Sequence, residues 1–272
     1  EPTHLFEVAI DGSNLRQLTD GEWSDLDPTY APNGDIVFVS ERCGTSLQCN
    51  EYDKDETSCN LYTMGADGTG IRRMSVNKDG DYLPHTLDDG SIVYTRWEYI
   101  NRHVTKFHML WWTRPDGTNA SNFYGNNTEA PWMISETVPV PGSSKVVALG
   151  TGHHSFSTGT VITVDPNIGE DGEAPVKKIT PEIGYLEAER ITTPGCYSTP
   201  WPLTEDLFLV SYSPSPIPKQ GRTPSDNYAI YLIDSLGGRE LVYRDPDGMS
   251  CFSPTPVIER PHPRNLASSI DA

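Results

Sequence analysis

One segment of this chain is written several times over, and that repetition constrains the fold more than any single motif does. "DPTYAPNGDIVFVS" (27–40) matches "YLPHTLDDGSIVYTR" (82–96), with Pro28 aligned to Pro84 and Gly34 to Gly90. "ETVPVPGSSKVVALGT" (136–151) is a looser copy, and "YSTPWPLTEDLFLVSY" (197–212) is another, with Pro200 in the proline slot. "CFSPTPVIERP" (251–261) opens a fifth. The copies recur at intervals of about 53 to 63 residues, long for a propeller blade but reachable with inserted loops.

Every copy follows one plan. A short strand meets a turn of the Asn-Gly or Asp-Gly kind. An apolar, β-branched strand follows: "DIVFVS", "SIVYTR", "KVVALGT", "DLFLVSY". A third strand ends in an Asp or Gly turn, as in "LYTMGADG", "LWWTRPDG", "TVITVDPN" and "YAIYLIDSLG". A short fourth strand closes the unit, as in "IRRMS", "KKIT" and "ELVYR". No segment sustains a 3.6-residue apolar period, so helices are expected to be scarce. Four antiparallel strands per repeat predict an all-β chain, a β-propeller of four-stranded blades. The N-terminus supplies only two strands of a blade, "HLFEVAIDG" and "LRQLT", and the C-terminus only a first strand. Joined, these halves make one composite blade and about five blades in all, or part of a six- or seven-bladed ring. Residues 1–272 are read as a single propeller domain. The chain begins without an initiator Met, in strand-like sequence and with no leader pattern, and is expected to be excised from a longer multidomain protein.

The formal net charge of −18 argues against nucleic acid, whose binding needs clustered Lys and Arg, and marks an acidic surface. No apolar run is long enough for a membrane span. Five cysteines leave at least one unpaired within the chain. Cys43, Cys49 and Cys59 share one hydrophilic loop, where a disulfide is the expected arrangement; Cys196 and Cys251 hold equivalent places in neighbouring repeats and could form another. No C-x-x-C-H occurs, so this chain cannot carry a c-type haem covalently. G-x-S-x-G, a P-loop and a dinucleotide fingerprint are absent, and "DPDGMS" lacks the ligand spacing of an EF-hand.

In a propeller the first strand of each blade lines the channel. Loops after second strands then share a face with the starts of first strands. Onto that face fall Arg42 and Cys43, then Arg96, Trp97 and Glu98, then His153 and His154, the Pro-rich loop 213–224, and Cys196, Tyr197 and Cys251. His153 and His154 are candidate metal ligands with Cys196, because imidazole and thiolate are the ordinary zinc donors. Arg96, Glu98 and Tyr197 are candidates for cofactor contact; the alternative for "TRWEYINR" is an Arg-aromatic corner with an Arg–Glu pair. "HMLWWTR" is read as packing between blades.

The stretch "DGSNLRQLTDGEWSDLDPTYAPNGDIVFVSER" resembles the repeat of TolB-type propellers. In order, "LYTMGADGTGIRRMS", "DDGSIVYTRWEYINR", "LWWTRPDGT", "FYGNN", "GHH", "ITPE", "PWPLTEDLFLVSYSP", "YAIYLIDSLGGRELVYRDP" and "SCFSPTPVIERP" resemble the middle domain of the hydrazine synthase alpha subunit over nearly the whole chain. That resemblance implies a TolB-like propeller in a periplasmic or anammoxosome-like lumen of planctomycete-type bacteria. It implies c-type cytochrome domains or subunits as partners, haem c carried by those partners, and a zinc ion near one haem. The domain alone would not be catalytic. Three functions follow: part of a multihaem oxidoreductase, with the 153–154 loop, Arg96, Glu98, Tyr197 and Cys196 bordering a shared haem or metal pocket; a non-catalytic interaction propeller using the same face; or a metal-dependent polysaccharide lyase. The lyase needs three or four histidines facing the channel, and the seven present look scattered.

Overall fold

The structure, a computed structural model, describes residues 1–50, 56–155, 157–189, 195–215 and 226–270. Eighteen strands and one short 3-10 helix (Gln48–Asn50) are found among them, with no α-helix. The first repeat is β3 (Asp25–Tyr30), β4 (Ile36–Ser40), β5 (Asn60–Met64) and β6 (Arg72–Arg73), paired in that order. The second is β7 (Asp81–Thr86), β8 (Ile92–Trp97), β9 (His108–Thr113) and β10 (Ser121–Tyr124). The third is β11 (Met133–Pro139), β12 (Val146–Thr151), β13 (Thr160–Val164) and β14 (Val176–Lys178). The fourth is β15 (Cys196–Pro202), β16 (Leu207–Ser213), β17 (Ala229–Asp234) and β18 (Arg239–Tyr243). The N-terminal strands β1 (Phe6–Glu7) and β2 (Arg16–Gln17) pair with each other. Each repeat thus supplies the four strands expected of it, but the sheets number three beside the two-stranded remnant: the first and fourth repeats are separate four-stranded sheets, and the second and third are joined into one eight-stranded sheet where β9 meets β11.

The second strands are buried on both faces, which is why they read as continuous apolar runs. In β4, Ile36 and Phe38 pack with Leu5, Tyr62 and Met64, while Val37 and Val39 face Ala31, Leu61, Ile92 and Tyr94. In β12 and β16, Val147, Leu149, Phe208 and Val210 join one core with Ile183, Tyr197 and Tyr212.

Each first strand carries the same irregularity. Register shifts lie between Leu26 and Thr29, Tyr82 and His85, Ser135 and Val138, and Ser198 and Trp201. Within them Asp27, Leu83, Glu136 and Thr199 have φ of 49°, 54°, 54° and 41°. These are bulges that bend the strand at its midpoint. Ser253, ahead of Pro254, has φ 52°, so the fifth copy adopts the same bend. Residues 251–270 nevertheless hold no strand, and the expected composite blade is not assembled as a sheet among the described residues. A first strand without its second strand has no ladder to join.

The chain forms two compact units. One is Glu1–Asn101, Trp111–Ser121 and Val257–Ala272; the other is Arg102–Leu110 and Asn122–Pro256. The division passes through β9 and β10. No helix among the described residues is long and apolar enough to cross a membrane.

The expected disulfides do not form. Cys43, Cys49, Cys59 and Cys251 are free thiols. Cys43 Sγ lies 3.0 Å from the Ser58 carbonyl, and Cys196 Sγ lies 2.9 Å from the Tyr228 hydroxyl. The sheet thus turns these two sulfurs toward local hydrogen-bond partners.

Candidate functional site

The second unit gathers three histidines and a glutamate. His108 heads β9, and Met133 of β11 pairs with it in parallel. His153 and His154 stand in the turn that follows β12. Glu187 comes from the segment between β14 and β15. His153 Nδ1 is 3.4 Å from His108 Nε2, and their rings lie 5.0 Å apart. The His153 and His154 rings meet edge to face at 4.2 Å. His154 Nδ1 donates to Glu187 Oε1 at 2.6 Å, and the backbone N–H of His154 donates to Oε2 at 2.9 Å. The carboxylate thereby fixes the ring's tautomer and leaves its Nε2 as the acceptor nitrogen.

The backbone is built for this approach. A Cβ on Gly152 would stand 2.6 Å from the Leu186 carbonyl and 2.8 Å from the Glu187 side chain, so only glycine lets the two segments close. Ser155 Oγ donates to the Gly152 carbonyl and Thr158 Oγ1 to the Ser155 carbonyl, each at 2.6 Å, which ties down the turn. Phe107, Ser157 and Glu187 all adopt positive φ (65°, 51° and 60°) around the cluster. Three non-glycine residues in that region at one place mark a site held in shape by its surroundings.

His108 is buried, and burial, then the neighbouring His153 and His154, push its pKa well below 6.5. The cluster therefore presents a neutral buried imidazole beneath two half-buried ones. Two nitrogens 3.4 Å apart match the spacing across a tetrahedral zinc ion with bonds of about 2.0–2.1 Å. Yet no group of three or more His, Cys, Asp or Glu among the described residues is arranged to hold a metal ion.

The other sequence candidates have surroundings of their own. Cys196 packs in a small cluster with Leu186 and Tyr228. Tyr197 bridges Gly159 through its backbone, while its hydroxyl meets Glu182 and Arg239. Arg96 belongs to the first unit, 3.7 Å from the buried Asp81 carboxylate and stacked 4.9 Å from the centre of the Trp111 ring. Burial raises the Asp81 pKa, and Arg96 opposes that rise. Arg96 thus has an aromatic face on one side and Asp81 as an ion-pair partner on the other. Asp25 and Arg42 repeat the pairing at 2.6 Å in the first repeat. Glu98 is partly buried in the same unit, beside a Trp97–Tyr99 edge contact. Most of the Pro-rich loop 213–224 lies outside the described residues. Sequence reasoning missed His108 and Glu187. A polar residue heading the apolar run "HMLWWT" was the available signal for the first; nothing local marks the second.

No protein-family model matches the sequence, and no curated protein matches it. Among solved structures the chain is similar to hydrazine synthase of Kuenenia stuttgartiensis, with a TM-score of 0.75 and 20% identity over 97% of this chain. This chain spans 38% of that one. It is also similar to a nidogen/laminin complex (TM-score 0.53, 12% identity, 91% of this chain and 74% of that chain). TolB from Acinetobacter baumannii aligns at a TM-score of 0.46 and 13% identity, over 86% of this chain and 49% of that one. At such identities the likeness is one of fold.

Proposed function

We propose that this chain is the β-propeller domain of a hydrazine synthase alpha-like multihaem oxidoreductase. The observation that carries the reading is the match along 97% of the chain to a segment of hydrazine synthase. The four-stranded sheets close into a ring, with blades supplied beyond those seen here. The ring packs against c-type cytochrome domains or subunits, in a periplasmic or anammoxosome-like lumen. Those partners carry the haem c. Within the second unit the histidine cluster borders that haem pocket. There His154, held by Glu187, offers a directed acceptor nitrogen, and the desolvated His108 stays neutral. The described residues do not complete a zinc site. His108 and His153 would supply two of its ligands.

The test is the visible spectrum and metal content of the intact protein from its native source, beside the recombinant 272-residue chain. Haem bands are expected in the native protein and not in the recombinant chain. Absence of haem from both would sink the oxidoreductase reading and favour a non-catalytic interaction propeller.

One observation favours a second reading. The lyase alternative required three or four histidines facing the channel, and the fold brings three that are scattered in sequence to one place. Metal-dependent cleavage of an acidic polysaccharide would release an unsaturated product, read by its ultraviolet absorbance. No such product, with and without added manganese or zinc, would eliminate this reading.

A further inference from the structure

A second polar site lies in the same unit, apart from the histidines. A cavity of about 430 Å³ is lined by Glu182, Ile183, Tyr197, Tyr212, Gly237 and Arg239. This is within the size range of sites that hold small molecules. Two of its walls are rigid: Tyr197 and Tyr212 are 2% and 7% exposed, with ring centres 4.7 Å apart. Tyr231 braces Tyr212 edge-on at 5.3 Å.

The charged groups are held in place by these rings. The Arg239 guanidinium lies over the Tyr212 ring, 4.0 Å from its centre, and Nη1 donates to Tyr197 Oη at 2.9 Å. Tyr197 Oη donates in turn to Glu182 Oε1 at 3.0 Å. The phenol is thus occupied as both donor and acceptor, and acts as a spacer between a cation and an anion. Among the described residues the Arg239 side chain makes this one hydrogen bond, so most of its fork remains to be used. Glu182 likewise keeps acceptor capacity.

We propose that this cavity binds a small zwitterion with an apolar body, of the α-amino acid or short-peptide class. The ligand carboxylate takes the Arg239 fork, the ammonium takes Glu182, and the apolar part lies against Ile183 and the tyrosine rings. Charge complementarity selects this class. A simple anion would meet Glu182 on a chain of net charge −18, and a simple cation would meet Arg239. Spacing agrees: two bonds to one oxygen put Nη1 and Oε1 within about 6 Å, and the amino and carboxylate atoms of an α-amino acid, about 3 Å apart, fit between them with one hydrogen bond at each end. The site does not depend on the haem-protein reading.

The probes are L-leucine, N-acetyl-L-leucine without the ammonium, and L-leucinamide without the carboxylate, titrated calorimetrically into the intact protein. Leucine is expected to bind, and each analogue to bind at least about tenfold more weakly. Glu182→Gln should weaken leucine while leaving N-acetyl-leucine unchanged. Arg239→Gln should weaken leucine while leaving leucinamide unchanged, and Arg239→Lys should recover only part of the loss. Both residues are exposed, and circular dichroism checks that the variants fold. The proposal is overturned by absence of leucine binding, by equal binding of leucine and N-acetyl-leucine, or by leucine affinity that neither variant changes. Haem content of the intact protein reports separately on the function proposed above.

Discussion

At the scale of single residues, the histidine cluster shows how burial sets chemistry. His108 is 6% exposed, and its folded-state pKa lies well below 6.5. The unfolded chain therefore binds a proton that the native state resists. Stability from this group is full above pH 6.5 and is lost as pH falls below it. His108→Gln removes that linkage. The denaturation midpoint of the variant should fall less steeply on the acid side than that of the parent, and parallel acid limbs would contradict the assignment. Gly152 is the second such residue. Gly152→Ala should cost about 1–3 kcal/mol in urea denaturation, because the methyl group meets the Leu186 carbonyl and the Glu187 side chain. It should also break the His154–Glu187 contact, visible as a changed imidazole resonance for His154. An unperturbed His154 would show that Glu187 moves with the added carbon.

Elements repeat as well as residues. The third-to-fourth-strand turns at 65–69 and 114–118 have the same hydrogen bonds: Gly65 N–H to Thr69 O at 2.8 Å, and Arg114 N–H to Thr118 O at 2.9 Å. In each, an aspartate side chain caps the threonine two residues on, Asp67 to Thr69 and Asp116 to Thr118. That is why "ADGT" and "PDGT" recur. The turn also packs against the preceding repeat. A Cβ on Gly117, where φ is 85°, would stand 2.6 Å from the Met74 carbonyl that follows β6. Gly117→Ala is therefore strained by both φ and contact, and should destabilise by about 1–3 kcal/mol. A change under about 0.5 kcal/mol in thermal or chemical denaturation would show that the turn is loosely seated.

For the whole molecule, charge is the dominant fact. A chain of 272 residues with 38 acidic and 20 basic side chains repels itself. Salt shortens the range of that repulsion, to about 10 Å at 0.1 M. The melting temperature should therefore rise between low and physiological ionic strength. A fall would mean that local pairs such as Arg42–Asp25 and Lys145–Glu205 outweigh the net charge.

The repeat, the all-β class and the four-strand plan were legible in the sequence, because strand alternation and Asp-Gly turns are local properties of the chain. The apolar second strands were legible for the same reason: burial on both faces leaves an unbroken run such as "IVFVS". Placement of side chains between distant segments was not. His108 and His153 are 45 residues apart, and His154 and Glu187 are 33 apart. Arg239 and Tyr197 are separated by 42. No local pattern encodes such pairs; sheet register and bulges bring them together. The unmade disulfides and the unpaired fifth copy have the same origin. Equivalent sequence positions share a backbone conformation, as Ser253 shows, but only tertiary packing decides which strand or side chain stands opposite.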